Sequence, residues 1–361
     1  MQWIGAIIAI GVLIIVHEAG HFFVARWCKM RVDRFSVGFG PAIWSKKYKG
    51  TIFQVAPIPF GGFVQINGML VADDVDADDP NSYPNRPAWQ RFLTIFAGPA
   101  TNYLFAMFLA LILFTIAGVQ TGTAWYKVSS VDPALGAAGK LEPGDRLLRV
   151  QQQKGGALVL DEPIYFKRDG KLQKDLAAHI QEFGDAPFLL VVERDGKVMP
   201  PIEVAAKKVT EGDKEVYRLG VSQEWESERR DVGVLGSVGH ALYYPIDQTK
   251  VIVTGLYKVI TGEVDGALTG PVGITSVIKQ SISAGWITML ELLMLLNVYL
   301  GLFNLFPLPA LDGGRLVFLS YEMATRRRAN PKVEATVHMV GIMALLVIMV
   351  LVTYKDIARL L

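Results

Sequence analysis

Four stretches of the chain are apolar almost throughout, with no alternation of polar and apolar positions: Trp3–Val24, Phe92–Val119, Trp286–Leu308 and Thr336–Tyr354. Each is long enough for a helix to cross a hydrocarbon layer about 30 Å thick, which takes roughly 20 residues. The pattern therefore predicts four transmembrane helices. The first stretch has no basic segment ahead of it and no small-residue cleavage site behind it, so it reads as a retained span and not as a secretory leader. Between the second and third stretches the pattern changes. Gln120–Asp231 is polar, with short alternating runs such as Phe188–Val192 and turn signals such as Arg194-Asp195-Gly196, enough for one small folded domain. Val232–Val264 mixes apolar residues with a few charges and fits an interfacial amphipathic helix better than a fifth span. The predicted organisation is 1–119 (spans one and two with an intervening β-hairpin region), 120–231 (the polar domain), 232–285 (the interfacial segment) and 286–361 (spans three and four).

Composition agrees with a polytopic α-helical membrane protein: the 361 residues are 51% hydrophobic and 19% charged, against about 25% charged in an ordinary soluble domain. The net charge is +2, from 36 basic and 34 acidic residues, which leaves no basic excess for nucleic acid. A single cysteine, Cys28, excludes an intrachain disulfide framework and any multi-cysteine metal site.

Where the basic residues fall sets the expected orientation. Arg315, Arg326, Arg327, Arg328 and Lys332 lie between spans three and four, and Arg26, Lys29, Arg31 and Arg34 follow span one. Loops rich in Lys and Arg stay on the cytoplasmic side. Four spans then put both termini and the polar domain outside.

Inside span one stands His17-Glu18-Ala19-Gly20-His21. Two histidines four residues apart share one helix face and can chelate a single metal ion, with zinc the default. Ionisable groups at membrane depth are costly and point to function. A catalytic zinc takes three protein ligands and leaves a position for water, so a third ligand is required. His179 belongs to the polar domain, and His240 and His338 each stand alone. The stronger candidate is Asp312, in Asn304-Leu-Phe-Pro-Leu-Pro-Ala-Leu-Asp-Gly-Gly314, where two prolines stop the helix and two glycines follow the carboxylate. Bent backbone at membrane depth is tolerated where it is buried in protein or lines a wet cavity.

These motifs resemble those of bacterial site-2 proteases, the intramembrane zinc metalloproteases of the regulator-of-sigma-E protease type. HEAGH is similar to that family's first-span zinc motif, Ala97-Gly98-Pro99-Ala100-Thr101-Asn102 to its second-span motif, and NLFPLPALDGG to the third-span motif that carries the aspartate. Phe35–Gly40 with Pro59–Phe63 resembles the membrane-associated β-hairpin after the first span, and Gly270–Ile274 a short motif before the third. Leu141–Val150, Asp175–Phe183 and Phe188–Val204 resemble elements of one PDZ domain, although Gln151–Lys174 is longer than the usual connection.

The resemblance implies Zn2+ held by His17, His21 and Asp312, with Glu18 as the catalytic base. Asn304 would stabilise the intermediate or grip substrate backbone, with a helix-packing amide as the competing reading; Asn102 would touch substrate or make a polar contact between helices, and Gly61 and Gly62 would be further substrate contacts. The Phe35–Asn67 region, with turns expected at Lys47–Gly50 and Gly61-Gly62, would hold an unwound substrate by β-addition. The acidic run Asp73–Asp79 reads as a solvated loop. The implied activity is hydrolysis of transmembrane segments of single-span proteins in the bacterial inner (cytoplasmic) membrane, for example an anti-sigma factor. Clearance of signal-peptide remnants by the same chemistry and a non-catalytic PDZ scaffold are the alternatives.

Overall fold

The computed structural model describes residues 2–69, 78–154, 157–164, 167–168, 171–172, 176–211, 214–263 and 270–358. Residues 73–77 of the acidic run and parts of the 151–174 connection lie outside the described residues. In order, the chain forms α1 (Gln2–Trp27), strands β1 (Val32–Phe39), β2 (Trp44–Tyr48), β3 (Thr51–Val55) and β4 (Ile58–Ile66), and then α2 (Ala88–Ala117). A strand-rich stretch containing α3 (Leu176–Phe183) follows, and then α4 (Gly233–Ile260), α5 (Pro271–Ala284), α6 (Trp286–Leu305), α7 (Asp312–Thr325) and α8 (Pro331–Ala358). Two compact units result: Met1–Ile116 with Gly233–Leu361, and Ala117–Val232.

Among the described residues four helices are long and apolar enough to cross a membrane: Gly5–Trp27, Ala88–Ala117, Trp286–Leu305 and Pro331–Tyr354. The protein is a multi-pass membrane protein with sheets between its helices. Span three ends at Leu305, short of the expected Leu308, because Pro307 and Pro309 lack the N–H groups that a helix needs. Span four starts earlier than its apolar run, since Pro331 fits the first turn of a helix, where no N–H is required. Residues 233–260 form one 28-residue helix, which packs Ile252 against Ala106 of α2 and Val298 and Leu302 of α6. In α1, Ala6 and Ala9 pack with Ile278 of α5 beneath the apolar face of α6.

The region after span one is a four-stranded sheet in the order β2-β3-β1-β4, with β1 and β3 parallel and the other pairs antiparallel. Its β2–β3 hairpin turns at Lys49 and Gly50, both at positive φ. Gly61 and Gly62 do not form a turn; they sit inside β4. Glycine is needed there for close approach. A Cβ at Gly61 would stand 1.9 Å from the Phe39 ring, and one at Gly62 would stand 2.7 Å from Ser36 O and 2.9 Å from Ile14 of α1. The sheet is thereby pressed against the helix that carries the histidines, with β4 at its edge.

In the 117–232 unit, strand Arg146–Lys154 pairs with Phe188–Arg194 and with Val119–Val131, which also pairs with Val221–Arg230. Val128, Leu147, Val150, Leu176, Phe188, Leu190 and Val204 fill its core. Asp145, 1% exposed, is matched by a two-pronged Arg194 contact at 2.7 and 2.8 Å. The Glu142 N–H donates to the same carboxylate, so the buried charge has donors on both oxygens.

Candidate metal centre

On α1 the i, i+4 spacing places His17 and His21 on one face, and both are buried. Opposite them α2 offers Gly98. A Cβ there would lie 2.3 Å from His21 Nε2 and 3.0 Å from His17 Cε1, so glycine makes the room that the two rings occupy. Gly20 does the same for the backbones, since its Cβ would lie 2.3 Å from Ala97 O. The third element is the bend after α6. Gly313 and Gly314 let the first turn of α7 fold back on Leu305, Phe306 and Leu308, whose carbonyls a Cβ at either glycine would strike. Asp312 is the first residue of α7, so the bend aims its carboxylate at the histidines.

Three donor atoms converge there. Asp312 Oδ2 lies 3.2 Å from His17 Nε2 and 3.3 Å from His21 Nε2, and the two nitrogens are 3.3 Å apart. Tetrahedral zinc with ligand bonds of about 2.0–2.1 Å has ligand–ligand edges of about 3.3–3.4 Å. The triangle therefore has the size of one face of a zinc tetrahedron. Direct pairing satisfies it less well, because Oδ2 is buried and makes no hydrogen bond.

The far side of each ring has a partner. His21 Nδ1 donates to Thr94 O at 2.9 Å; a carbonyl only accepts, so in the neutral ring Nε2 is left with its lone pair facing the triangle. His17 Nδ1 is 3.0 Å from the side-chain amide of Asn102, which is 0% exposed.

The three groups open on a cavity of about 510 Å³, lined also by Glu18, Phe63–Ile66 of β4, Asn304 and Arg315. Glu18 stands outside the triangle but on the same wall. Asn304 donates one amide hydrogen to Leu300 O at 3.0 Å, leaving its second hydrogen and its oxygen. Gly61, Gly62 and Asn102 do not line this cavity. Asn102 is buried against His17, because position 102 of α2 faces α1, which is the inter-helix contact of its two expected roles and not the substrate contact. His338 bonds to Ala310 and is not part of the donor cluster. Thr94 carries no signal in the sequence, Gly98 enters there only within the second-span motif, and Arg315 only as a basic loop residue and not as part of the site. Arg315 could have been placed in it, since it follows Asp312 by three residues and so shares its helix face.

The model of peptidase family M50 matches residues 5–348. The chain belongs to that family. Its site-2 proteases are zinc-dependent, and this M50 peptidase is a zinc metalloprotease. It is 32% identical to a protein of Fusobacterium nucleatum named "Putative zinc metalloprotease", over 100% of this chain and 99% of the relative. It is 29% identical to a protein of the same name from Rickettsia conorii, over 99% and 98% of the two chains. It is also 26% identical to the regulator of sigma-W protease RasP of Bacillus subtilis, again over 99% and 98%.

Proposed function

We propose that this M50 peptidase cuts peptide bonds within the transmembrane segments of single-span membrane proteins, with zinc held by His17, His21 and Asp312. The observation that carries the reading is the convergence of those three donors, two of them on a helix long and apolar enough to span a bilayer, beside a cavity walled by a sheet edge. Bound zinc supplies a Lewis acid and lowers the pKa of a water toward about 7. Glu18, on the cavity wall beside the three donors, would take a proton from the attacking water and give it to the departing amide nitrogen. Asn304 offers its free amide hydrogen to the oxygen on which charge develops. Thr94 and Asn102 hold the two rings. For His17 the Asn102 amide serves best with Oδ1 toward Nδ1–H, and Oδ1 is the buried atom that otherwise has no hydrogen-bond partner.

A helical substrate hides its peptide bonds, so it must be unwound before cleavage. Among the described residues β4 pairs with β1 on one side and with no strand on the other, and its Phe63–Ile66 stretch faces the cavity. An extended peptide can add to that edge through main-chain hydrogen bonds. Gly61 and Gly62 serve this by setting the strand against α1 and Glu18.

The basic loops after spans one and three favour an inner-membrane orientation with the zinc site toward the cytoplasm and the 117–232 unit, read as a PDZ-like domain, outside. The name of the RasP relative supports a role in regulated proteolysis, with an anti-sigma factor as the substrate type. Reconstituted in liposomes with a single-span test protein, the enzyme should give products whose masses place the cut inside the span. Cuts confined to the flanking polar residues would overturn the reading.

Gly98 gives a second test. In Gly98→Ala the atoms nearest the new methyl belong to the two imidazole rings, so the fold should survive while the ligands shift. Zinc affinity should fall roughly 10–100-fold, as for lost support of metal ligands, read by chelator competition on protein that still elutes as a single species. Unchanged zinc affinity would mean that the rings are not ligands.

A further inference from the structure

Span four supplies none of the three donors, yet it holds the turn from which one of them is presented. Ala310, two residues before Asp312, has φ +74, in the left-handed region that residues with a Cβ avoid. Its N–H donates to His338 Nδ1 of α8 at 3.0 Å. One turn further along α8, a Cβ at Gly341 would lie 2.3 Å from Pro309 Cβ and 2.9 Å from Pro309 O. The helix therefore seats directly on residues 309 and 310. Towards its other end α8 is fixed by Asp356, which accepts the Gly273 N–H of α5 at 3.0 Å.

The turn has few ties of its own. Pro307 and Pro309 have no N–H, Leu308 donates to Phe306 O, and Leu311 donates to Leu308 O at 3.3 Å. Of these donors, Ala310 alone is held from outside the turn. Its partner has no second polar tie, since His338 Nε2 is buried without a hydrogen-bond partner. An amide that loses its acceptor at this depth is left unsatisfied, and the strained Ala310 then loses the hydrogen bond that holds it against relaxing toward negative φ. That rotation would swing the following backbone and carry Asp312 away from the imidazoles.

We propose that His338 is a positioning residue for the metal centre: by accepting the Ala310 N–H it fixes the turn that aims Asp312 at His17 and His21. The inference rests on the reading of Asp312 as a zinc ligand. It makes span four a part of the centre's support, so that moving α8 would alter the third ligand.

The test compares His338→Asn, whose Oδ1 can replace Nδ1 as acceptor, with His338→Phe, which keeps a ring and removes the acceptor. Asp312→Ala serves as reference, all in the full-length protein in detergent. Zinc retention against a chelator and hydrogen exchange across residues 308–311 are the readouts. His338→Phe should hold zinc roughly 10–100-fold more weakly and exchange faster across the turn, and His338→Asn should restore both to within a few-fold of wild type. A residue that only fills space would give the reverse order, with Phe tolerated and Asn not, and that result would overturn the proposal. Gly341→Ala lifts the same helix off Pro309 with the imidazole untouched; it should also loosen zinc, and full retention there would overturn the proposal even if His338→Phe failed to fold. Retention in His338→Phe with loss in Asp312→Ala would sink this inference alone. Retention in Asp312→Ala would sink the ligand assignment beneath it.

Discussion

Glu18→Gln should keep its zinc and lose its proteolysis. The carboxylate lies on the same face of the cavity as His17 and His21 but outside the group of converging donors, so the amide leaves the metal's ligands intact. What the amide cannot do is accept a proton from water and release it to the leaving nitrogen. General acid–base groups contribute about 10²–10⁴-fold to rate, so cleavage of a single-span substrate should fall by at least about that range while metal analysis stays at wild-type stoichiometry. Zinc lost together with activity would assign Glu18 to the metal, and activity retained would remove it from the chemistry. The neighbouring β4 strand should be undisturbed, because the substitution preserves the shape of the side chain beside Gly62.

The membrane spans were legible because length and apolarity are written residue by residue; spans one and two differ from the apolar runs by a few residues at their ends, and proline accounts for the shifts in the other two. Pro307 cut span three short and Pro331 allowed span four to begin early. The pairing of His17 with His21 needed only the 3.6-residue period of a helix. The nearness of Asp312 to them is a tertiary fact that a Pro-Leu-Pro bend and two glycines could suggest but not measure. Other features were hidden because one residue type answers to two causes. Gly61-Gly62 has the composition of a turn, yet the requirement is room for Phe39, Ser36 and Ile14, none adjacent in sequence. Asn102 suits a substrate contact as well as a ring support, and only the facing of α2 toward α1 separates the two. The parallel β1–β3 pair, which leaves β4 at the edge, follows from strand order and cannot be read from alternation. His338 stood as a lone histidine in an apolar run; its partner is a backbone amide 28 positions away.

The metal centre depends on Asp312. Two imidazoles alone leave a zinc ion short of its three-ligand set and leave its charge uncompensated in a site where water is scarce. The carboxylate supplies both the ligand and the negative charge, and the two glycines behind it let its turn pack against Leu305, Phe306 and Leu308. Loss of a direct ligand should weaken zinc binding more than the roughly 10–100-fold typical of lost outer support. Asp312→Asn should fail as well, since an amide oxygen brings no charge. The most direct measurement is the zinc content of detergent-purified Asp312→Ala beside wild type, taken with cleavage of a single-span substrate. About one zinc per chain in the wild type, little or none in the variant and no cleavage by it are the predicted results. Full zinc occupancy with cleavage retained in Asp312→Ala would contradict the His17–His21–Asp312 centre.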